Sequence, residues 1–202
     1  SGADILREGG NAVDAAVAVS LALGVTEPAG SGIGGQGTMI VQRPNNVGFV
    51  INGTSLAPPE LPADLKLTDL KGRRPSTVPS MLRMLDFVHK NYGSGTIAWQ
   101  RLVEPAIHYA EKGYPLGEFR RKSMLRYRKA LLKNLTVREL LFTAEGTVPE
   151  AGSCMKNHRL ATTLQRIGSK GAEEFYSGKM ADEISEDMAV QNGWVSRANL
   201  RD

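Results

Sequence analysis

Apolar positions recur along the chain with different periods, and each period predicts an element. From Ala12 to Leu23 the residues are Ala, Val, Leu and Ser, with Asp14 as the only charge. A helix that is apolar all round belongs in a core. At twelve residues this one is far too short to span a bilayer, which takes about 20. Asn11 is placed to cap it by accepting a hydrogen bond from a backbone N–H near Asp14, and Gly24 and Pro28 mark its exit. Thr38–Gln42 and Val47–Asn52 are short apolar β runs around Arg43-Pro44-Asn45-Asn46, a hairpin signal. The first run lacks clean alternation, which predicts a sheet covered on both faces.

Helical spacing dominates the remainder. Residues 2–8 give a short amphipathic helix ending at Gly9, and the run from Ser80 to Tyr92 sets Met81, Leu82, Leu85, Val88 and Tyr92 on one face. Thr96 is read as the cap of the next helix, which Pro105 should break or kink before it ends at Gly113. Ser123–Leu141 alternates basic and leucine residues as one helix, and Asn157–Ile167, Gly171–Tyr176 and Lys179–Gln191 form a closing helical series. Between hairpin and helices, Gly53–Pro79 is rich in turns. It reads equally well as a linker or as a long surface excursion.

Between the core helix and the first strand stand Gly30, Gly32, Gly34, Gly35 and Gly37. G-x-G-x-x-G occurs twice there, but it follows a helix and leads into a strand, the reverse of a dinucleotide-binding loop. The glycines instead predict positive φ, or close approach to other backbone or to a substrate. With these residues the chain resembles a family. Gly9-Gly10-Asn11-Ala12-Val13-Asp14-Ala15-Ala16, Glu27-Pro28 and Ser31-Gly32-Ile33-Gly34-Gly35 are similar to the large-subunit signature of the gamma-glutamyltransferases. The likeness continues through Thr96–Pro115, Asn157–Lys179 and Ser196–Asp202.

The resemblance implies an α+β fold, with residues 1–202 a mostly helical part of the large subunit of a four-layer αββα N-terminal-nucleophile hydrolase. It implies γ-glutamyl amide hydrolysis or transfer, as on glutathione, with no cofactor or metal. In such enzymes the precursor cleaves itself, and the threonine that opens the small subunit is the nucleophile, its own α-amino group serving as base. Nothing in this chain matches that processing motif. The catalytic residues are therefore expected outside it, and the expected partner is a small subunit from the same precursor. An extracellular, periplasmic or cell-surface location is expected on the same ground.

The family's large subunit also carries an arginine, in an Arg-Glu-x-Ala-Pro stretch after the second strand, that grips the α-carboxylate of the substrate. The corresponding residues here are Thr54-Ser55-Leu56-Ala57-Pro58. Thr54 and Ser55 are thus the candidate substrate-binding residues, with both charges gone. Three readings stay open: a substitute cation such as Arg73 or Arg74; an acylase or amidohydrolase whose substrate lacks that carboxylate; or a catalytically inactive binding homologue.

Composition narrows this little. Hydrophobic residues make up 41% and charged residues 23%, with a net charge of +4, which suits a globular chain. Seven of 25 basic residues lie between Arg120 and Lys133. They read as a solvated helix face, with no nucleic acid and no membrane contact expected. Cys154 is the only cysteine, so no disulfide forms within the chain. His89, His108 and His158 lack metal-site spacing, and Asp182, Glu183, Glu186 and Asp187 read as a solvated face. Asn52-Gly53-Thr54 and Asn134-Leu135-Thr136 match the N-glycosylation pattern.

Overall fold

The computed structural model describes every residue except Asn45, Asn46, Pro62, Ala63, Leu67, Asp69 and Asp202. It is a mixed helix-and-sheet structure. In chain order the elements are α1 (Gly2–Arg7), α2 (Ala12–Thr26), β1 (Gly37–Gln42), β2 (Gly48–Gly53), α3 (Met81–Tyr92), α4 (Trp99–Lys112), β3 (Tyr114–Pro115), α5 (Glu118–Leu131), α6 (Leu135–Leu141), β4 (Cys154–Met155), α7 (His158–Lys170), α8 (Glu173–Tyr176), α9 (Lys179–Val190) and α10 (Arg197–Arg201).

Helix α2 sits in the main core against α4, which packs on its other side against α7. Val17, Ala18, Leu21, Leu102, Val103, Ala106, Leu164 and Ile167 meet there, and α3 adds Leu82, Leu85 and Val88. Contrary to the expectation of burial all round, α2 keeps Val19 and Leu23 exposed. It also runs through Gly24 to Thr26. Gly24 remains necessary for another reason: a Cβ there would lie 3.2 Å from the Cα of Gly32, so the small residues bring helix and loop backbones together.

Strands β1 and β2 pair antiparallel from Gly37↔Gly53 to Gln42↔Gly48, so the hairpin forms, its turn residues Asn45 and Asn46 lying outside the described residues. The two-faced burial expected of β1 does not. Burial alternates along both strands: Met39, Val41 and Ile51 face the core, while the paired Ile40 and Val50 point outward, Ile40 being 76% exposed. Gly37 and Gly53 are fixed by crowding, since a Cβ at either would meet the side chains of Met81 or Met84 within 3 Å.

Helix α4 begins at Trp99 and passes through Pro105 as one helix. The run Ser123–Leu141 is two helices: α5 starts earlier, at Glu118, and Asn134 opens α6 by accepting from the Val137 N–H. With β4 they enclose a separate small core of Leu116, Met124, Phe142, Val148 and Met155. The two-residue ladder β3–β4 was not anticipated. The described residues between Gly53 and Pro79 are mostly exposed, and the antiparallel bridge Leu56↔Val78 ties the two ends of the segment together.

Candidate functional site

The turn after β2 is built by short polar side chains. The Asn52 Oδ1 accepts from the Thr54 N–H at 3.1 Å and from the Thr54 hydroxyl, a local turn that spends the Thr54 hydroxyl on its own strand end. Ser55 joins three segments. Its N–H and hydroxyl both donate to Gln36 Oε1, at 2.9 and 3.1 Å, and its hydroxyl accepts from Thr77 at 2.8 Å. Gln36 belongs to the glycine loop and Thr77 to the strand-like return of the excursion. Thr54 is exposed and Ser55 half-buried.

The residues offered as a substitute cation are already engaged. Arg73 donates from Nε and Nη2 to the two carboxylate oxygens of Asp187, at 2.7 and 3.3 Å. Arg74 lies over the Trp194 ring. Arg73, Thr77, Gly34 and Asp187 all line one cleft of about 620 Å³, floored by Phe175 and Met180. The cleft therefore holds an ion pair beside the Ser55 node, and neither Thr54 nor Ser55 hydrogen-bonds a basic side chain.

The glycine loop departs from one half of its reading. None of Gly30, Gly32, Gly34, Gly35 or Gly37 has positive φ. Close approach accounts for Gly35 and Gly37, whereas a Cβ on Gly30, Gly32 or Gly34 would point into open space. The Gly35 carbonyl accepts from the Ser80 and Met81 N–H groups, tying the loop to the start of α3.

At the N-terminal end of α2 lies a buried carboxylate with two partners, His89 and Ser94, that sequence spacing did not reveal. Asp14 is 0% exposed. It accepts from the Asn11 N–H at 3.0 Å and the Ser94 N–H at 2.9 Å, and lies 3.2 Å from His89 Nδ1. Asn11 Oδ1 in turn accepts from Val13 and Asp14, so the N-terminus of α2 is a reciprocal capping box. Burial pushes the Asp14 carboxyl up, but the hydrogen bonds from Ser94, Asn11 and His89 outweigh it and hold it below the usual carboxylate value.

The other candidates are structural. Asp182, Glu183 and Asp187 grip Arg197, Arg166 and Arg73 from three other segments, partly exposed pairs worth about 0–1 kcal/mol each. Arg120, counted with the solvated basic run, is instead 7% exposed and donates to the Thr26 carbonyl at the end of α2 and to the Tyr114 hydroxyl. Cys154 is exposed. Asn52 and Asn134 are both exposed. Among the described residues no helix is long and apolar enough to cross a membrane, and no group of three His, Cys, Asp or Glu could hold a metal.

The chain matches the Gamma-glutamyltranspeptidase family model over residues 1–202. It is 32% identical to the glutathione hydrolase proenzyme of Escherichia coli (strain K12) over 212 residues, covering 98% of this chain and 36% of that protein. Its backbone superposes on Helicobacter pylori gamma-glutamyltranspeptidase with a TM-score of 0.90 at 29% identity, over 98% of this chain and 59% of that one. A cephalosporin acylase from Bacillus halodurans follows the same path, with a TM-score of 0.86 at 29% identity over 99% and 39% of the two chains. The chain spans about a third of the length of the curated relatives it matches. A match running over residues 1–202 shows that the chain belongs to the gamma-glutamyltranspeptidase family.

Proposed function

We propose that these residues form the large-subunit part of an enzyme that hydrolyses or transfers γ-glutamyl amides, with an N-terminal threonine nucleophile supplied by polypeptide outside residues 1–202. The observation that carries this reading is the family match over residues 1–202, whose sequence holds no match to the family's processing motif. The open Ile40/Val50 face of the hairpin supports the αββα architecture, in which a second sheet covers it. The open-sided Gly30–Gly34 stretch offers backbone for close approach by the small subunit or the substrate. An extracellular, periplasmic or cell-surface location belongs to the same reading, as does glycosylation at the exposed Asn52 and Asn134.

Thr54 and Ser55 are assigned to the substrate side of this site. Their hydroxyls replace a guanidinium, and the carboxylate of a γ-glutamyl group loses a charged hydrogen bond worth about 1.5–3 kcal/mol. That loss favours a second reading, an acylase acting on a substrate without the α-carboxylate, which the likeness to the cephalosporin acylase also supports. A catalytically inactive homologue is the third.

A matched pair of substrates separates them in the full-length protein. γ-Glutamyl p-nitroanilide and 4-aminobutyryl p-nitroanilide differ only in the α-carboxylate. The first reading predicts a clear preference in kcat/KM for the γ-glutamyl compound. Equal rates on both would support the acylase, and turnover of neither would support the inactive homologue.

A further inference from the structure

Helix α5 carries a face on which none of the proposed substrate-side residues lies. Of the seven basic residues between Arg120 and Lys133, three are held by hydrogen bonds: Arg120 to Thr26 and Tyr114, Arg121 to the Pro149 carbonyl and Glu150, and Arg128 to the Gly146 carbonyl. The other four, Lys122, Arg126, Lys129 and Lys133, are all exposed. Their spacing of four, three and four residues puts them in one stripe along the outer side of α5 and the turn that continues it.

Among the described residues none of the four forms an ion pair; Arg126 only stacks on Tyr127. Glu118, in the first turn, is the one acidic residue of α5 and is likewise unpaired. Phe119, 83% exposed, flanks the stripe on one side and the half-exposed Leu125 on the other.

We propose that this face is a peripheral contact for an anionic phospholipid surface. A single convex helix face bearing unpaired cations matches a flat layer of negative charge, each cation near such a surface contributing about fivefold in affinity. The flanking Phe119 and Leu125 favour lipid over nucleic acid or another purely ionic partner, because phosphate contacts leave them in water whereas the headgroup region of a bilayer takes them in. The contact lies flat on the surface. It requires no membrane-crossing helix.

Sedimentation of the full-length protein with vesicles tests this. It should bind vesicles of phosphatidylcholine with 30 mol% phosphatidylglycerol (roughly, a moderately anionic surface), bind pure phosphatidylcholine vesicles weakly, and dissociate as salt is raised. The double variant Lys122→Gln/Lys129→Gln should weaken binding about 25-fold. Phe119→Ala should weaken it further without changing the salt dependence, and thermal unfolding of both variants should match the parent. Equal affinity for both vesicle types, or unchanged binding by the double variant, would overturn the proposal. Binding of heparin, DNA or an acidic peptide that matches vesicle binding and ignores Phe119→Ala would overturn the lipid assignment.

Discussion

Residue by residue, Asp14 bears on stability and Thr54, if the proposed function holds, on the substrate carboxylate. Asp14→Ala leaves the buried N–H groups of Asn11 and Ser94 without acceptors, each worth about 1–3 kcal/mol, and should cost about 3 kcal/mol, seen as a fall in Tm. The pH dependence has a fixed sign. Because the folded-state pKa lies below the ordinary 3.8, the stabilisation is complete above that value and is lost as pH falls through the folded-state pKa. The parent should therefore lose more stability on acidification than Asp14→Asn, which has no proton to take up there; parallel losses would contradict the role. Thr54→Arg should restore a carboxylate grip and raise kcat/KM on γ-glutamyl p-nitroanilide by roughly 10- to 150-fold, leaving 4-aminobutyryl p-nitroanilide unaffected. Asn11 and Asp14 were legible as a cap because a cap is local. His89 and Ser94 were not, since they meet Asp14 across 75 and 80 residues of sequence, and no periodicity encodes which loop closes over a helix end. Gln36 and Thr77, the partners of Ser55, were hidden for the same reason.

Among the elements, α2 carries the central packing. Ala18 is 0% exposed where the core helices meet. Ala18→Asp places a carboxylate there at a cost of several kcal/mol, enough to consume much of a typical stability of about 5–15 kcal/mol. Little or no soluble protein is the expected yield, and a monodisperse variant of parental Tm would contradict it. Ala16, half-buried beside the groove between hairpin and α2, should tolerate the same change better. The composition of α2 pointed correctly to a core helix, yet composition does not say which side stays open, here that of Val19 and Leu23. Pro105 sits inside α4 without ending it, because packing against both α2 and α7 outweighs a lost hydrogen bond. The break between α5 and α6 was concealed by leucines that keep helical spacing across Asn134, whose side chain caps the second helix. Two-residue strands such as β3 and β4 leave no pattern to read.

For the molecule as a whole, the family was legible from the runs Gly9–Ala16 and Ser31–Gly35, because a resemblance of that kind rests on contiguous residues. The exposed sheet face was not. TMIVQ has the pattern of a strand covered on both sides, yet within residues 1–202 Ile40 and Val50 stand open, the face that the proposed architecture covers with a second sheet. The proposed function has the catalytic centre completed by other polypeptide, to which that open face and the open-sided glycines would be turned. Intact-mass measurement with N-terminal sequencing of the full-length protein tests this most directly. Two polypeptides are expected, one of them beginning with threonine. A single uncut chain, inactive on both anilides, would contradict it.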